Sequence, residues 1–262
     1  VDGARQILKP YLSPTPLRRY KSLDRLTGVR LFIKHENHNP TGTFKIRGGI
    51  YLMHQLKRQG IDTVITYSTG NHGTSVATSA AMFGIRAKVV VPENSNPLKL
   101  QSIRDAGAEL IEHGRDFEAA GRKVKELVDS CGFYFVHPAN EPHLIHGVGT
   151  EFFEILEAVP DLDVMMVPIG AGSEAAAAIT VLKQLNPSVQ IIGVQAEAAQ
   201  AAYQSWRQKK IVTAENTTFA GGVATGTGYD LPFRLCQEGL DDFILLSEEE
   251  LYQGIALAAH HT

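Results

Sequence analysis

The chain has 262 residues, with 25 Lys and Arg against 28 Asp and Glu, so its formal net charge is −3 at pH 7. That balance argues against a nucleic-acid or membrane-surface binder, which needs a cationic stripe. Hydrophobic residues make up 44% of the sequence and charged residues 20%, as in an ordinary globular protein with a sizeable core in one or two domains.

Cysteine usage and apolar run length exclude further classes. Cys131 and Cys236 are far apart and in no CxxC spacing, which excludes a disulfide framework and a zinc–thiolate site, and we interpret both as buried apolar residues. No apolar run approaches the roughly 20 residues of a membrane span. The first residues lack signal-peptide character, and the missing Met suggests a trimmed end. We expect a protein of a reducing compartment, the cytoplasm.

β-branched apolar runs alternate with amphipathic stretches along the chain. The predicted strands are residues 29–34, 63–68, 87–92, 133–137, 164–169, 190–195 and 243–247. The predicted helices are residues 46–58, 72–83, 97–106, 117–130, 143–158, 174–185 and 198–209. This alternation predicts parallel βαβ units. Typical helix starts stand at Asp116, at Asn96 before Pro97, and at Ser247 with Glu250.

Two layers fit this pattern better than one continuous sheet. We predict an α/β fold with two open, mainly parallel twisted sheets flanked by helices. Residues 51–140 hold four strand–helix units and form the smaller domain, and residues 1–50 and 141–262 combine into the larger one. Ligands of open parallel sheets bind beyond the carboxyl ends of strands, so the chemistry is expected in strand-to-helix loops.

A lysine stands where a turn passes into a helix. The segment 39–49 reads Asn-Pro-Thr-Gly-Thr-Phe-Lys-Ile-Arg-Gly-Gly, with Lys45 directly after Phe44. The helix dipole and the charge of Arg47 disfavour an ammonium group there, which favours Lys45 as a nucleophile toward an aldehyde cofactor. An isolated lysine at such a place is usually an ordinary surface residue, but the flanking residues favour the nucleophile.

The segment 68–73, Ser-Thr-Gly-Asn-His-Gly, follows the second predicted strand. Glycines and small hydroxyl groups leave main-chain amide groups uncovered at a helix N-terminus, which suits a carboxylate. The amide of Asn71 suits a ring hydroxyl. An ordinary glycine-rich turn with Asn71 as the helix cap is an equally open alternative.

The segment 170–175, Gly-Ala-Gly-Ser-Glu-Ala, follows the predicted strand 164–169 and opens a helix at Glu174. Its glycines permit close backbone approach, and uncovered N–H groups at a helix start suit a phosphate. The segment also satisfies the dinucleotide fingerprint G-x-G-x-x-[GA], with Glu197 as a ribose acceptor. A phosphate and a pyrophosphate both remain open for this loop.

Together these segments resemble the fold-type II pyridoxal-phosphate enzymes, whose fold is that of the tryptophan synthase β subunit, and in particular their serine/threonine dehydratase (threonine deaminase) and serine racemase branch. The segment 40–48 is similar to their cofactor-lysine motif, 68–72 to their asparagine loop and 170–174 to their phosphate loop. The segments 219–224 and 137–150 also resemble that branch. The similarity runs in order from Tyr11 to about Leu257.

The resemblance implies pyridoxal 5'-phosphate as the cofactor, bound in a cleft between the two domains. Lys45 would form the Schiff base and later remove the substrate Cα proton, Asn71 would bind the 3′-hydroxyl, and Phe44 and Gly222 would lie near the ring or substrate. The residues implied to hold the phosphate are Gly170, Ala171, Gly172, Ser173 and Glu174. Those implied to surround the substrate carboxylate are Ser68, Thr69, Gly70, Asn71 and His72.

The reaction that the resemblance favours is dehydration and deamination of L-threonine, L-serine or a related β-hydroxy amino acid to a 2-oxo acid and ammonia. Ile46 follows the lysine where sulfhydrylase and threonine-synthase relatives often have Asp, which fits the dehydratase branch. Thr69 stands where racemases of the branch use a serine, so racemisation with Lys45 and Thr69 as catalytic residues stays open. Other lyases or synthases of β-substituted amino acids also stay open.

The chain ends at Thr262, before the stretch where the family carries the Ser, Thr or Cys that faces the pyridine nitrogen. We therefore expect a truncated C-terminal end, without the last strand–helix unit. Gln195 and Ala201 stand where metal-binding relatives supply carboxylates, so we expect no equivalent metal site. The resemblance also implies a homodimer or higher homo-oligomer that binds a small amino acid and neither nucleic acid nor membrane.

Two hypotheses from other classes remain. An NAD-dependent dehydrogenase would use the 170–175 fingerprint but leaves the segments around Lys45 and Asn71 unexplained. An amino-acid sensor would bind the cofactor without catalysis. The histidine pairs 35/38 and 143/146 lack a third ligand, so we interpret them as solvated or capping residues and not as metal ligands.

Overall fold

The computed structural model describes residues 1–262. Contacts between residues divide the chain into two compact units. Unit 1 comprises Val1–Leu12 and Asn39–Thr150, and unit 2 comprises Ser13–His38 and Glu151–Thr262. The strands are β1 (Leu17–Arg19), β2 (Phe32–Lys34), β3 (Thr63–Tyr67), β4 (Arg86–Val91), β5 (Glu109–Glu112), β6 (Tyr134–Phe135), β7 (Val164–Pro168), β8 (Gln190–Ala196) and β9 (Asp242–Leu246).

Twelve α-helices and two short 3₁₀ turns, Glu36–His38 and Glu197–Ala199, complete the secondary structure. The helices are α1 (Asp2–Leu8), α2 (Lys21–Thr27), α3 (Lys45–Arg58), α4 (Asn71–Met82), α5 (Pro97–Asp105), α6 (Phe117–Cys131), α7 (Pro142–Val148), α8 (Thr150–Ala158), α9 (Ser173–Leu185), α10 (Ala201–Gln208), α11 (Asp230–Gly239) and α12 (Glu248–His261). None of them is both long and apolar enough to cross a membrane.

Unit 1 is built on a four-stranded parallel sheet with the order β5-β4-β3-β6. Strand β3 is buried from Thr63 to Thr66, as is typical of a central parallel strand with helices on both faces. One core cluster packs α3, α4 and α5 on this sheet and includes Leu52, Val76 and Ile103. A second cluster lies under α6. The segment that begins α4 therefore directly follows a buried, well-packed strand.

Glycines let α3 lie unusually close to its neighbours in unit 1. A Cβ on Gly48 would lie 2.7 Å from the carbonyl oxygen of Leu144 in α7, and one on Gly147 would lie 2.4 Å from that of Arg47. A Cβ on Gly49 would lie 2.6 Å from the Oγ of Ser75 in α4. Close backbone contact thus locks α3 against two helices, which fixes the position of its first residue.

Unit 2 contains a three-stranded parallel sheet, β7-β8-β9, and an antiparallel pair, β1-β2. Its helix α9 carries four consecutive fully buried alanines, residues 175–178. A Cβ on Gly239 of α11 would lie 2.2 Å from Ile179 of α9, so these two helices also need a glycine to pack. The small residues of α9 allow close packing at the helix that follows β7.

The predicted fold class is confirmed, with two mainly parallel open sheets and flanking helices. The three predicted helix starts are confirmed: Asp116 and Asn96 accept backbone hydrogen bonds, and Ser247 with Glu250 forms a capping box. The helix predicted over 143–158 is instead broken at Gly149, and the stretch 198–209 begins as a 3₁₀ turn.

The contacts group residues 39–50 and 141–150 with the four-stranded sheet, because α3 and α7 pack on α4 and on each other. The predicted division at residues 50 and 140 was based on counting strands alone and stays a prediction.

Cys236 is buried as expected, but the interpretation of Cys131 as buried was wrong: it is the exposed last residue of α6.

Candidate active site

Lys45 is the first residue of α3, one residue before the predicted start of that helix. Its carbonyl oxygen accepts a hydrogen bond of 2.8 Å from the Oγ of Ser75 in α4. Its Nζ lies 4.9 Å from the centroid of the Phe44 ring, and the side chain is partly buried. The hydrogen bond from Ser75 thus fixes the backbone of Lys45 relative to α4.

The predicted asparagine loop connects the end of β3 to α4. The cap residue of α4 is Gly70, whose amide donates to the Oγ of Ser68 at 3.2 Å. Asn71 is the first helical residue, is exposed and makes no capping hydrogen bond. The alternative in which Asn71 acts as the cap is therefore wrong, and its amide is available for a ligand. Thr69 is half-buried in the same turn.

His72 points into the interior of unit 1. It is 7% exposed, and its Nε2 lies 3.0 Å from the Oγ1 of Thr66 and 3.3 Å from the carbonyl oxygen of Val136. Burial, with a smaller contribution from the charge of Lys45, lowers the pKa of His72 to about 3. The imidazole is therefore neutral, and only the backbone amide of His72 is left to contact a carboxylate.

Unit 1 thus brings two of the three predicted segments together. Ser75 of α4 donates a hydrogen bond to the backbone of Lys45. His72, one residue after Asn71, lies close enough to Lys45 for the lysine charge to lower the pKa of the imidazole. The starts of α3 and α4 are neighbours. A lysine amine, an uncommitted asparagine amide and a helix N-terminus therefore occupy one region, which suits a ligand with an aldehyde, a hydroxyl and an anionic group.

In unit 2 the segment 170–174 forms the turn between β7 and α9. Gly172 is the cap residue, with a left-handed φ of 87°, and Ser173 begins the helix. The amide groups of Gly170, Ala171 and Gly172 donate no hydrogen bond within the chain. Unpaired amide groups at the start of a 13-residue helix form an anion site. These residues fit the phosphate group of the implied cofactor.

The two glycines of this turn are also required by packing. A Cβ on Gly172 would lie 2.8 Å from the Cβ of Pro232, and a Cβ on Gly170 would lie 2.7 Å from the carbonyl oxygen of Gly222. The segment 219–224 therefore lies directly against the phosphate loop. Gly222 itself is exposed and has no atom near its own Cβ position, which is consistent with a ligand approaching its backbone.

The structure places most of the paired histidines in aromatic contacts. His35 shares a hydrogen bond of 2.8 Å with the hydroxyl of Tyr20, and His143 and His146 both contact the ring of Tyr51. His35, His143 and His146 are half-buried partners in aromatic packing, whereas His38 is exposed, as expected for a solvated residue. No group of three or more His, Cys, Asp and Glu side chains is arranged to hold a metal ion.

Sequence reasoning missed Thr66 and Glu248. Thr66 is fully buried in β3 and supports His72. Glu248 stands between the residues of the predicted Ser247–Glu250 helix start and was given no role, yet it binds the segment next to the phosphate loop. A hydroxyl directly after the apolar residues Val64 and Ile65 was an available signal for Thr66. Nothing in the sequence separates Glu248 from Glu249 beside it.

Comparisons with known proteins identify the family of the chain. The family model "Pyridoxal-phosphate dependent enzyme" matches residues 8–262. The L-threonine ammonia-lyase of Thermotoga maritima is 35% identical over 260 residues, which cover 97% of this chain and 64% of that protein. The catabolic L-threonine dehydratase of Escherichia coli is 36% identical over 253 residues, with 95% and 76% coverage.

Among solved structures, maize serine racemase superposes with a TM-score of 0.94 at 29% identity and covers 99% of this chain and 79% of that one. The chain thus spans about two thirds of the length of its Thermotoga relative and somewhat more of the others. With a family match over nearly all of its residues and the lysine, asparagine and phosphate-loop segments in their expected elements, the chain belongs to the pyridoxal-phosphate dependent enzyme family.

Proposed function

We propose that this chain forms the catalytic part of an ammonia-lyase that converts L-threonine, L-serine or a related β-hydroxy amino acid to a 2-oxo acid and ammonia. The observation that carries the proposal is the hydrogen bond from Ser75 to the carbonyl of Lys45, which joins the lysine to the helix that begins with Asn71. Two curated relatives of matching sequence are threonine ammonia-lyases or dehydratases.

When bound, pyridoxal phosphate supplies an electron sink for bonds broken at the substrate Cα. Lys45 would carry the cofactor covalently, and the side-chain amide of Asn71 would bind its ring hydroxyl. The amide groups of residues 170–174, in the turn before α9 and at the start of that helix, would bind its phosphate, and the Phe44 ring and the Gly222 backbone would lie near its ring. The cleft expected between the predicted domains, 1–50 with 141–262 and 51–140, is the proposed place of this site.

The substrate is held by its carboxylate at the start of α4. The amide of Gly70 already donates to the Oγ of Ser68, so the donors would be the main-chain amide groups of residues 68, 69, 71 and 72 and the hydroxyl of Ser68. The helix dipole favours the negative charge. The Lys45 amine would take the Cα proton of the substrate, and the resulting ammonium group would give that proton to the β-hydroxyl group, which leaves as water. Hydrolysis of the remaining enamine would give the 2-oxo acid and ammonia. Because the imidazole of His72 is buried and neutral, it takes no part in proton transfer.

A racemase is the second candidate. The hydroxyl of Thr69 is half-buried and makes no hydrogen bond within the chain, so it is free to exchange a proton with the substrate. The structural similarity to a serine racemase also supports this candidate. Thr69→Ala separates the two activities, since it removes racemisation and leaves ammonia release if Lys45 alone performs the elimination. Chiral chromatography of serine after incubation measures the difference.

The test is an ammonia-release assay with the full-length protein on L-threonine, L-serine and other β-substituted amino acids. Lys45→Ala is expected to abolish ammonia release. Lys57→Ala, which changes an exposed lysine at the other end of the same helix, is the matched control and is expected to retain it. Ammonia formation that is equal in Lys45→Ala and the unchanged protein would contradict the proposal.

We also propose that the protein works in the cytoplasm as a homodimer or higher homo-oligomer, as the family resemblance implies. Light scattering of the purified full-length protein tests the oligomeric state. A monomer at micromolar concentration would contradict it.

A further inference from the structure

Glu248, the first residue of α12, is bound to a distant segment of unit 2. Its Oε1 accepts a hydrogen bond of 2.8 Å from the hydroxyl of Thr218, and its Oε2 accepts one of 3.1 Å from the amide of Phe219. The side chain is half-buried. Its neighbour Glu249 is exposed and accepts from Gln253 on the same helix. The two adjacent glutamates thus have different environments and serve as a matched pair.

The segment that Glu248 holds, residues 218–223, is ordered by further contacts of its own. The Thr218 hydroxyl accepts a bond of 3.1 Å from the amide of Ala220, and the amide of Val223 donates to the carbonyl of Ala220 at 3.0 Å. The ring of Phe219 stacks on that of Tyr252 in α12, with centroids 4.2 Å apart and planes 8° apart. The start of α12 therefore anchors one end of this segment.

The other end of the segment lies against the phosphate loop. A Cβ on Gly170 would be 2.7 Å from the carbonyl oxygen of Gly222 and 3.1 Å from the Cα of Val223. Because the two backbones are this close, a displacement of residues 222–223 changes the space in which Gly170 and the following amide groups lie. Contacts thus run without a gap from Glu248 through Thr218 and Ala220 to Val223 and Gly170.

We propose that Glu248 is a positioning residue for the cofactor's phosphate site, acting through Thr218 and Phe219 on the segment that lies against Gly170. The inference rests on the proposed function for the identity of the ligand. A carboxylate suits this role because both of its oxygens accept hydrogen bonds, and bonds to a charged acceptor are stronger than those to a neutral one.

The test compares Glu248→Gln with Glu249→Gln in the full chain. Glutamine keeps the size of the side chain but replaces one acceptor oxygen by an NH2 group, which cannot accept from both donors. We expect Glu248→Gln to weaken the Kd for pyridoxal phosphate about tenfold. In the cofactor-free protein, we expect amide hydrogen exchange of residues 218–225 to become faster by a similar factor. Glu249→Gln is expected to leave both values unchanged.

A second pair of variants tests the same inference if Glu248→Gln fails to fold. Thr218→Val removes the hydroxyl that links Glu248 to Ala220, and Thr218→Ser retains it. We expect Thr218→Val to weaken binding and speed exchange, and Thr218→Ser to match the unchanged protein. Unchanged exchange and affinity in Glu248→Gln or, where that variant does not fold, in Thr218→Val would overturn the inference.

The two proposals fail in different ways. If the unchanged protein does not attach pyridoxal phosphate to Lys45, the proposed function fails, whereas faster exchange in Glu248→Gln would still show that Glu248 holds the segment. If the unchanged protein binds the cofactor and the Glu248 and Thr218 variants bind it equally well, the function stands and the positioning role of Glu248 is wrong.

Discussion

Thr66 and His72 form a buried pair at the end of the central strand of unit 1. The Thr66 hydroxyl donates to the carbonyl of Val136 at 2.8 Å, and the Nε2 of His72 lies 3.0 Å from the same hydroxyl. Because the hydroxyl proton points to Val136, the hydroxyl accepts from His72, whose Nε2 must carry the proton. This pair joins β3, α4 and the end of β6, and thereby fixes the turn that contains Asn71.

Thr66→Val is expected to loosen this turn. The change keeps the shape of the side chain but leaves the carbonyl of Val136 and the Nε2–H of His72 without the hydroxyl, which lowers the free energy of unfolding by about 1–3 kcal/mol. Thr66→Ser keeps the hydroxyl and loses one buried methyl group, which costs about 1 kcal/mol. Urea unfolding measures these values, and hydrogen exchange of residues 68–72 should be faster in the valine variant alone. Equal exchange in both variants would contradict the role of the pair.

The buried state of His72 predicts a loss of stability in mild acid. Its folded pKa, about 3, lies below the ordinary value of 6.5, so below pH 6.5 the unfolded chain binds a proton that the folded chain does not. The contribution is complete above pH 6.5 and declines as the pH falls toward 3. Between pH 7.5 and 5 the free energy of unfolding should fall by about 2 kcal/mol from this group.

His72→Asn removes this pH dependence, and His113→Asn, which changes an exposed histidine, serves as its control. NMR of the imidazole in the unchanged protein gives the same information without a variant. We expect the ring of His72 to remain neutral, with the proton on Nε2, down to pH 5. A ring that protonates near pH 6.5 in the folded protein would show that His72 is not buried as described.

Asn71→Ala separates cofactor binding from stability. Asn71 is exposed and its side chain makes no hydrogen bond within the chain, so the change should leave the free energy of unfolding within about 0.5 kcal/mol. Loss of the hydrogen bond to the cofactor's ring hydroxyl should weaken the Kd for pyridoxal phosphate roughly tenfold. An absorbance titration with the cofactor measures this. If Asn71→Ala binds pyridoxal phosphate as tightly as the unchanged protein, Asn71 does not contact the cofactor.

Two glycine-to-alanine changes are expected to have opposite signs. Gly147→Ala places a Cβ 2.4 Å from the carbonyl of Arg47 and forces α7 away from α3, at a cost of about 2 kcal/mol or more. Gly254→Ala, in the exposed middle of α12, meets no atom within 4 Å and should stabilise by up to about 1 kcal/mol. Thermal unfolding compares them. Similar melting temperatures for the two variants would contradict the close packing of α3 on α7.

Local signals predicted much of this fold. The buried run of β3 and the capping residues Asp116 and Ser247 each act on residues close in sequence, and all three are found where they were expected. Short strands with weak apolar patterns were missed, among them β1 and β5, because pairing with a neighbour decides whether such segments become strands. The break at Gly149 was missed because glycine is compatible with both a helix interior and a helix end.

The candidate site was predictable where residue type and position relative to a helix start define it. A lysine at a helix start and glycines at residues 170 and 172 can be read from the sequence. The direction of the His72 side chain could not, since it depends on Val136, which lies 64 residues away. Glu248 differs from Glu249 through contacts with Thr218, 30 residues away. Such roles depend on long-range packing, which periodicity and capping rules do not describe.

Covalent attachment of the cofactor is the most direct test of the central claim. The full-length protein is incubated with pyridoxal phosphate, reduced with borohydride and digested, and the peptides are weighed by mass spectrometry. We predict one reduced cofactor per chain, on the peptide that contains Lys45, and none in Lys45→Ala. A cofactor found only on other lysines, or on none, would contradict the assignment of Lys45 and with it the proposed activity.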